Sequence, residues 1–381
     1  MFELTEDQVA LKEAAAEAAT AILGETLKED DENEVFRPEY LHALGEAGLC
    51  GVQSAEEHGG LGLGYTEYAI ILEEIAKVSA SYAVGVAVTG LPQVILATMG
   101  SQEQIDRYLP QLAMGETIGA FALSEPDSGS DAASLQATAE LDGDEYVLNG
   151  TKFWITHGGY ADVYIVMART GGPGARGVSA FVVPGDAAGL TYGKKEEKMG
   201  LRSSPTVELV MQNVRIPASN LIGAEGDGFK VAMSALDSGR ITIAAISVGI
   251  AQAALDTAAE YATQRKQFNK AIIDFQGVGF MLADMACQIE SSRLLVRKAA
   301  ALRDAGKPYS HIAAMAKCVA TDASVLVATD AVQVLGGYGY TREYPVERYM
   351  RDAKVMQIVE GTNQVQRVVI SRHLKGIYSG E

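Results

Sequence analysis

The hydrophobic period of this chain changes twice, and those changes constrain its fold more than any other feature. From Leu4 to about Leu112 apolar residues recur at every third or fourth position, with breaks predicted at the acidic DDENE run and at HGGLGLG (58–64). Between about Ile118 and Ile222 the period falls to two. There EYVLNGTKFWIT alternates around Asn149-Gly150, a strong hairpin signal, and DVYIVMA, GVSAFVVP and TVELVMQNVRIP read as strands. From Phe229 to about Tyr378 long Ala-rich helical patterns return. Helices, strands and helices in separate blocks predict an α+β protein with segregated layers rather than a wound parallel sheet. At 381 residues the chain exceeds what one core supports, and domains are predicted at 1–117, 118–226 and 227–381.

Charge and punctuation exclude several functions. A net charge of −18, from 31 Lys+Arg against 49 Asp+Glu, argues against a nucleic-acid or anionic-membrane surface. The start, MFELTEDQVALKEAAAEAAT, is an acidic amphipathic helix pattern and not a signal or transit peptide, which predicts a cytoplasmic protein. Val78 to Gln102 carries no charge, but its Ser, Thr, Gly, Pro and Gln residues predict a buried, interrupted helix in place of a membrane span. Cys50, Cys287 and Cys318 are too few and too scattered for a disulfide framework. The five histidines, His42, His58, His157, His311 and His373, lack metal-ligand spacing, so no metal site is expected. GGPGARG (171–177) matches a dinucleotide fingerprint, yet a strand follows where that motif needs a helix, so it reads as a hairpin loop.

Other stretches carry chemistry. FALSEPDSGSD (121–131) follows a strand-like FAL with hydroxyls and turn formers, exposing backbone N–H groups that suit a polar ring edge or a phosphate, or simply a turn. Trp154, the sole tryptophan, either fills core or, sharing a face with Thr156, makes a flat platform with a hydrogen-bonding handle. QRKQF (264–268) closes a long helix with two cations that satisfy the helix dipole or bind pyrophosphate beside Phe268. QVLGGYGY brings Gln333 to a glycine turn at Gly336, Gly337 and Gly339. In IVEGTNQ (358–364), Ile358 and Val359 are predicted buried, Gly361 frees the backbone, and Thr362-Asn363 cap a helix with Val365, Val368 and Val369 at helical spacing. Glu360 is thereby left near the core, where a carboxylate is paired, caps a helix, or is put to use.

In order, FALSEPDSGSD, NGTKFWIT, KMGLRSSPT, LDSGR, QRKQF, QVLGGYGY and VEGTNQ resemble the motifs of the acyl-CoA dehydrogenase family, most closely its short-chain (butyryl-CoA) branch, over nearly the whole chain. The resemblance implies an N-terminal helical domain, a central β-barrel or sandwich domain and a C-terminal four-helix domain, assembled as a homotetramer with FAD between subunits. It implies an acyl-CoA substrate and electron-transferring flavoprotein as electron acceptor. Phe121, Leu123, Ser124, Gly129 and Ser130 would hold the flavin ring and the thioester end of the substrate, with Trp154 and Thr156 against the ring. Arg265, Gln267, Phe268 and Gln276 would reach the FAD pyrophosphate and adenine in a neighbouring subunit, with Gln333, Gly336 and Gly337 arriving from another direction. Thr362 and Gln364 complete that site. Ser130, Asp237, Arg240 and Gly361 match substrate-binding positions, and Glu360 matches the catalytic base.

Three positions depart from the family or mark its branches. Gly239 stands where some branches place the base, so Glu360 has no competitor. Ala83 stands where dicarboxylate-specific members carry arginine, and Val359 replaces a usual aromatic, which implies a wider pocket wall. The alternatives to a dehydrogenase are an oxidase or other oxygen-reacting flavoenzyme on the same scaffold, betrayed by peroxide release, and a non-catalytic CoA-ester-binding subunit, betrayed by lack of FAD.

Overall fold

The computed structural model describes residues 3–379. Six helices come first: α1 (Glu6–Leu23), α2 (Leu27–Asn33), α3 (Pro38–Glu46), α4 (Tyr65–Val78), α5 (Ala80–Met99) and α6 (Gln102–Ala113). Thr5 with Gln8 starts α1 and Ser101 with Gln104 starts α6, each as a reciprocal capping box. The Gln104 amide also donates to the carbonyls of Ser219 and Leu221, at 2.7 and 3.0 Å, tying α6 to the strands that follow.

Two readings of this region change. The DDENE run does not break the chain until Glu34. Asp30 and Asp31 lie buried inside α2, held by Arg37 at 2.9 Å and Arg351 at 2.7 Å, so an acidic run that reads as a loop is kept helical by distant cations. Within the uncharged segment α5 runs unbroken through Pro92, and the interruptions fall at its ends, at Ser79 and at Gly100-Ser101. The amide of Gln93 donates to the carbonyls of Cys50 and Leu112, so this polar side chain is satisfied inside the core. Helices Ala80–Met99, Gly228–Gln264 and Ser310–Tyr340 are long and apolar enough to cross a membrane, and 67% to 78% of each apolar window is buried within the protein.

The middle of the chain forms β1 (Gly119–Ala122), β2 (Thr138–Asp142), β3 (Glu145–Thr156), β4 (Val163–Arg169), β5 (Val178–Pro184), β6 (Leu190–Tyr192), β7 (Thr206–Pro217) and β8 (Leu221–Ile222). They make one sheet in the order β6-β7-β3-β2-β4-β5-β8, with β1 running parallel to β4. Strand β4 is apolar on both faces: Val163, Ile165 and Met167 pack with α5 and α6, whereas Tyr164 and Val166 join the larger core on the other side. GGPGARG is the hairpin loop between β4 and β5, its carbonyls at Gly172 and Gly174 bound by Arg169.

Asn149-Gly150 is not a turn. It lies inside β3, where the register against β7 slips, and the hairpin turn between β2 and β3 sits at Gly143, beside the pair Asp142 and Glu145. A bulge explains the signal, because it also needs a residue free to adopt positive φ. Gly150 has φ +136°, and a Cβ there would come within 2.7 Å of Ala137.

The last block holds α7 (Gly228–Gln264), the short antiparallel pair β9 (Lys266–Gln267) and β10 (Lys270–Ala271), then α8 (Gln276–Asp304), α9 (Ser310–Leu335), α10 (Val346–Met356) and α11 (Asn363–Ser379). Helix α7 packs on α4, α5, α8, α9, α10 and β5 and so contacts all three blocks. Because Gly150 has both a forbidden backbone for L-residues and no room, Gly150→Ala is expected to destabilise the protein by at least about 2 kcal/mol. Chemical denaturation should show it as a lower midpoint with an unchanged slope.

Candidate functional site

The loop after β1 is fixed by a buried ion pair. Lys152, fully buried on β3, donates from Nζ to Glu125 at 2.7 Å and to the Leu123 carbonyl at 3.2 Å. Glu125 in turn accepts the backbone N–H groups of Gln136 and Ala137, and Phe153 N–H donates to the Ser124 carbonyl at 2.8 Å. Burial pulls the Lys152 ammonium down to about 8, with Glu125 opposing. This pinning buries Leu123, half-buries Phe121 and Ser124, and leaves Gly129 and Ser130 exposed, with open space where a Gly129 side chain would be.

Trp154 is not in the core. The β3–β7 register slips again between Lys152 and Ile155, and Trp154 takes φ +63°, which turns the indole outward to 58% exposure with Phe153 edge-on at 4.7 Å. Ile155 points inward while Thr156 stays half-buried, so Trp154 and Thr156 form an outward ledge. A lone large aromatic held outward by a bulge is a flat docking surface.

Beyond α7, Phe268 and Asn269 form the turn between β9 and β10 at φ +48° and +64°, and Phe268 is 88% exposed. Arg265 and Gln267 share a cleft of about 530 Å³ with Gly336, Gly337, Tyr261 and Tyr338. Arg265, Gln267, Gly336 and Gly337, expected from two directions, therefore meet in one cleft of one chain, because α9 ends where α7 ends. Phe268, Gln276 and Gln333 are exposed near these elements but do not line the cleft. No residue of the 121–131 loop, nor Trp154, lines it either. Tyr261 and Tyr338 escaped the sequence reading, although Tyr338 lies within the GGYGY turn.

The loop between α10 and α11 carries Glu360. Ile358, expected to be buried, is 53% exposed, and Val359 is partly buried. Glu360 and Gly361 are consecutive left-handed residues, φ +54° and +84°. The carboxylate lies against α7 at Gly239, where a Cβ would stand 2.5 Å from Oε2. Oε2 is buried without a hydrogen-bond partner, and the Glu360 N–H donates to no group among the described residues. Burial pushes the carboxyl up to about 7 against the opposing charges of Arg240 and Lys317.

Around it, Arg240 is buried, pairs with Asp237, and leaves its Nε unpartnered, while Ser310 donates to Asp237 at 2.9 Å. Thr362 accepts the Val365 N–H at 3.3 Å and Gln364 faces solvent. The valine face predicted for α11 is not what that helix buries: Val368 is exposed, and its buried residues are the polar Asn363 and Gln366. Asn363 was expected only as a helix cap, and Gln366, with the fully buried Lys317 of α9, was missed. The available signal was a lysine within the apolar AAMAKCVA run. Among the described residues no group of three His, Cys, Asp or Glu side chains is placed to hold a metal ion.

Comparison with known proteins agrees with this arrangement. Family models for the N-terminal, middle and C-terminal domains of acyl-CoA dehydrogenases match residues 5–116, 120–214 and 226–375. An acyl-CoA dehydrogenase of Bacillus subtilis is 45% identical over 377 residues, 98% of this chain and 100% of that protein. A chain solved in work on the electron transferring flavoprotein of Acidaminococcus fermentans and flavin-based electron bifurcation is 47% identical with a TM-score of 0.97, covering 98% of this chain and 99% of the other. Butyryl-CoA dehydrogenase from Megasphaera elsdenii is 44% identical with a TM-score of 0.96, covering 98% and 99%.

The raised carboxyl makes a prediction about stability. Glu360 holds its proton more tightly folded, at about 7, than at the ordinary value of 4.5, so its contribution is largest below 4.5 and is lost as pH rises through 7. Glu360→Gln is expected to reduce the stability difference between about pH 5 and about pH 8 by roughly 1–3 kcal/mol. Denaturant unfolding at the two pH values, compared with the parent, checks it.

Proposed function

The chain belongs to the acyl-CoA dehydrogenase family, and from that premise we propose that it is an FAD-dependent enzyme that dehydrogenates a short-chain acyl-CoA across Cα–Cβ to the trans-2-enoyl-CoA. The observation that carries this reading is Glu360: a half-buried residue whose Oε2 is buried and unpartnered, an undonated N–H on the same residue, and a glycine beneath it where a side chain would intrude.

The α-proton of a thioester is weakly acidic, so its removal requires an aligned base and a donor for the charge that develops on the thioester oxygen. Glu360 accepts the α-proton at its carboxylate, and its own N–H is free to donate to that oxygen. A carboxyl near 7 is a stronger base than a solvated glutamate, about half ionised at neutral pH and fully ionised above it. Arg240 and Lys317 keep it ionisable in spite of burial.

The residues present fit FAD. A ledge of exposed Trp154 with Thr156 suits a flat ring, Phe121, Leu123, Ser124, Gly129 and Ser130 offer backbone and hydroxyl groups beside it, and Arg265 in a glycine-lined cleft suits pyrophosphate. Gln267, Phe268, Gln276, Gln333, Gly336, Gly337, Thr362 and Gln364 would complete the hold. FAD, when bound, supplies the acceptor for the β-hydrogen and its electron pair. The Trp154 ledge and the Arg265 cleft share no lining residues within one chain, and the reading takes from the family resemblance a homotetramer in which one cofactor touches two subunits. Ser130, Asp237, Arg240 and Gly361 are assigned to the substrate.

Similarity to the butyryl-CoA dehydrogenase of M. elsdenii supports a short acyl chain, and similarity to a chain solved with an electron transferring flavoprotein study supports such a protein as electron acceptor. The acidic balance argues against a nucleic-acid partner, and a cytoplasmic location is part of the reading.

Anaerobic titration of the FAD-loaded protein with straight, branched and dicarboxylic acyl-CoA esters should bleach the flavin band with short straight or branched esters only. Bleaching by none of them would refute the reading. Glu360→Gln should retain FAD yet lose flavin reduction by several orders of magnitude. In the parent, the reduction rate should climb as pH rises through about 7, because the base works only when ionised.

A further inference from the structure

Two lysines in the chain are fully buried, and they differ in one respect. Lys152 is neutralised by Glu125 at 2.7 Å. Lys317, in the apolar middle of α9, has no ion-pair partner among the described residues, and its ammonium meets two neutral oxygens, the Gly361 carbonyl at 3.1 Å and Asn363 Oδ1 at 2.8 Å. An unneutralised cation in a core is costly, and a methionine would fill that space without the cost. Its placement calls for a use.

We propose that Lys317 is a positioning residue for the reaction assigned above: its ammonium clamps the left-handed Glu360-Gly361 turn from below and lends the catalytic carboxylate a positive charge from a group that substrate does not touch. The clamp is visible in the carbonyls of that turn. The Gly361 carbonyl accepts from both Lys317 and Gln366, the latter at 2.8 Å, and the Glu360 carbonyl accepts from Gln366 at 3.1 Å. Fixing the Glu360 carbonyl fixes the peptide plane next to its Cα, and hence the direction in which its side chain leaves toward Gly239. Left-handed backbone at a non-glycine residue persists only where its surroundings hold it. Here they do so with polar groups, since Asn363 is itself held by Thr321 at 2.9 Å and Asp322 at 2.7 Å.

The charge supply follows from what faces Glu360. Arg240 of α7 and Lys317 of α9 act on it directly, Arg240 already paired with Asp237, and Lys317 neighboured by Cys318 and by Asp322, which is taken up by Asn363, Gln357 and Arg367. Lys317 is the cation of this set that lacks a carboxylate partner of its own. Burial lowers the Lys317 ammonium to about 8, partly offset by Cys318, Glu360 and Asp322. Removing the cation takes away support for the ionised carboxylate, so the Glu360 pKa must move up.

The test uses the FAD-loaded enzyme, read two ways: the pH dependence of flavin reduction by butyryl-CoA, and the infrared titration of the Glu360 carboxyl, identified by subtraction of Glu360→Gln. Lys317→Met should raise the Glu360 pKa by roughly one unit in both readouts and slow reduction by roughly 100-fold. Gln366→Met, which removes the neutral half of the clamp, should slow reduction without moving the pKa. Lys317→Met with parental rate and parental titration overturns the proposal. Should that variant not fold, Lys317→Arg keeps the charge and displaces the donor. A slower rate at an unchanged pKa then supports the clamp, and a parental rate overturns it. If Glu360→Gln still turns over, the reading of Glu360 as base falls, while the infrared shift in Lys317→Met still decides whether Lys317 supports that carboxylate.

Discussion

Close approach to one helix organises this protein. At three points along α7 a glycine brings the helix into contact with something that no side chain would admit: Gly228 against the backbone of Ser179 in β5, Gly239 against the Glu360 carboxylate, and Gly249 against the backbone of Glu73 in α4. A Cβ at these positions would fall 2.3, 2.5 and 2.3 Å from its neighbour. The sheet, the Glu360 carboxylate and the N-terminal helices are thus referenced to a single rigid rod, which holds segments distant in the chain to a narrow geometry.

Around that rod, buried charge is handled in two ways. Where charge serves only to hold structure, it is neutralised on the spot, as Lys152 is by Glu125 beneath the 121–131 loop, or Asp31 by Arg351, which also donates to the Met199 carbonyl and so links α2, the sheet domain and α10. At Glu360 the balance is left incomplete. Glu360 has cations near it but no hydrogen bond to Oε2, and burial outweighs those cations enough to bring its carboxyl to about 7. The contrast separates charges neutralised to stabilise the fold from a carboxyl whose proton affinity the fold shifts.

The sequence was read well where periodicity and chemistry were local. The two changes of period fall where helices give way to strands and back, and the GGPGARG motif was rejected correctly because the element after it is a strand. It was misread where one residue preference serves two geometries. Asn149-Gly150 reads as a turn but makes a bulge, since both require positive φ. Trp154 reads either as core or as an outward platform, and bulge geometry decides for the platform. Ile358 reads as buried because it is aliphatic, but the turn at Glu360 and Gly361 turns it out to solvent. Lys317 went unremarked because a lysine in a helix is ordinarily a surface residue.

By itself the sequence determined the order of layers, the family, and Glu360 as the carboxylate to watch, because hydrophobic period and motif order are properties of neighbours along the chain. Only the tertiary structure decided what those residues face. The Glu360 carboxyl near 7 depends on Gly239 and Arg240 of α7, about 120 positions earlier in the chain, and on Lys317 of α9, and the Arg265 cleft exists because α7 and α9 end side by side. Proton affinity and binding geometry are set by desolvation and charge through space, and neither follows from spacing along a chain.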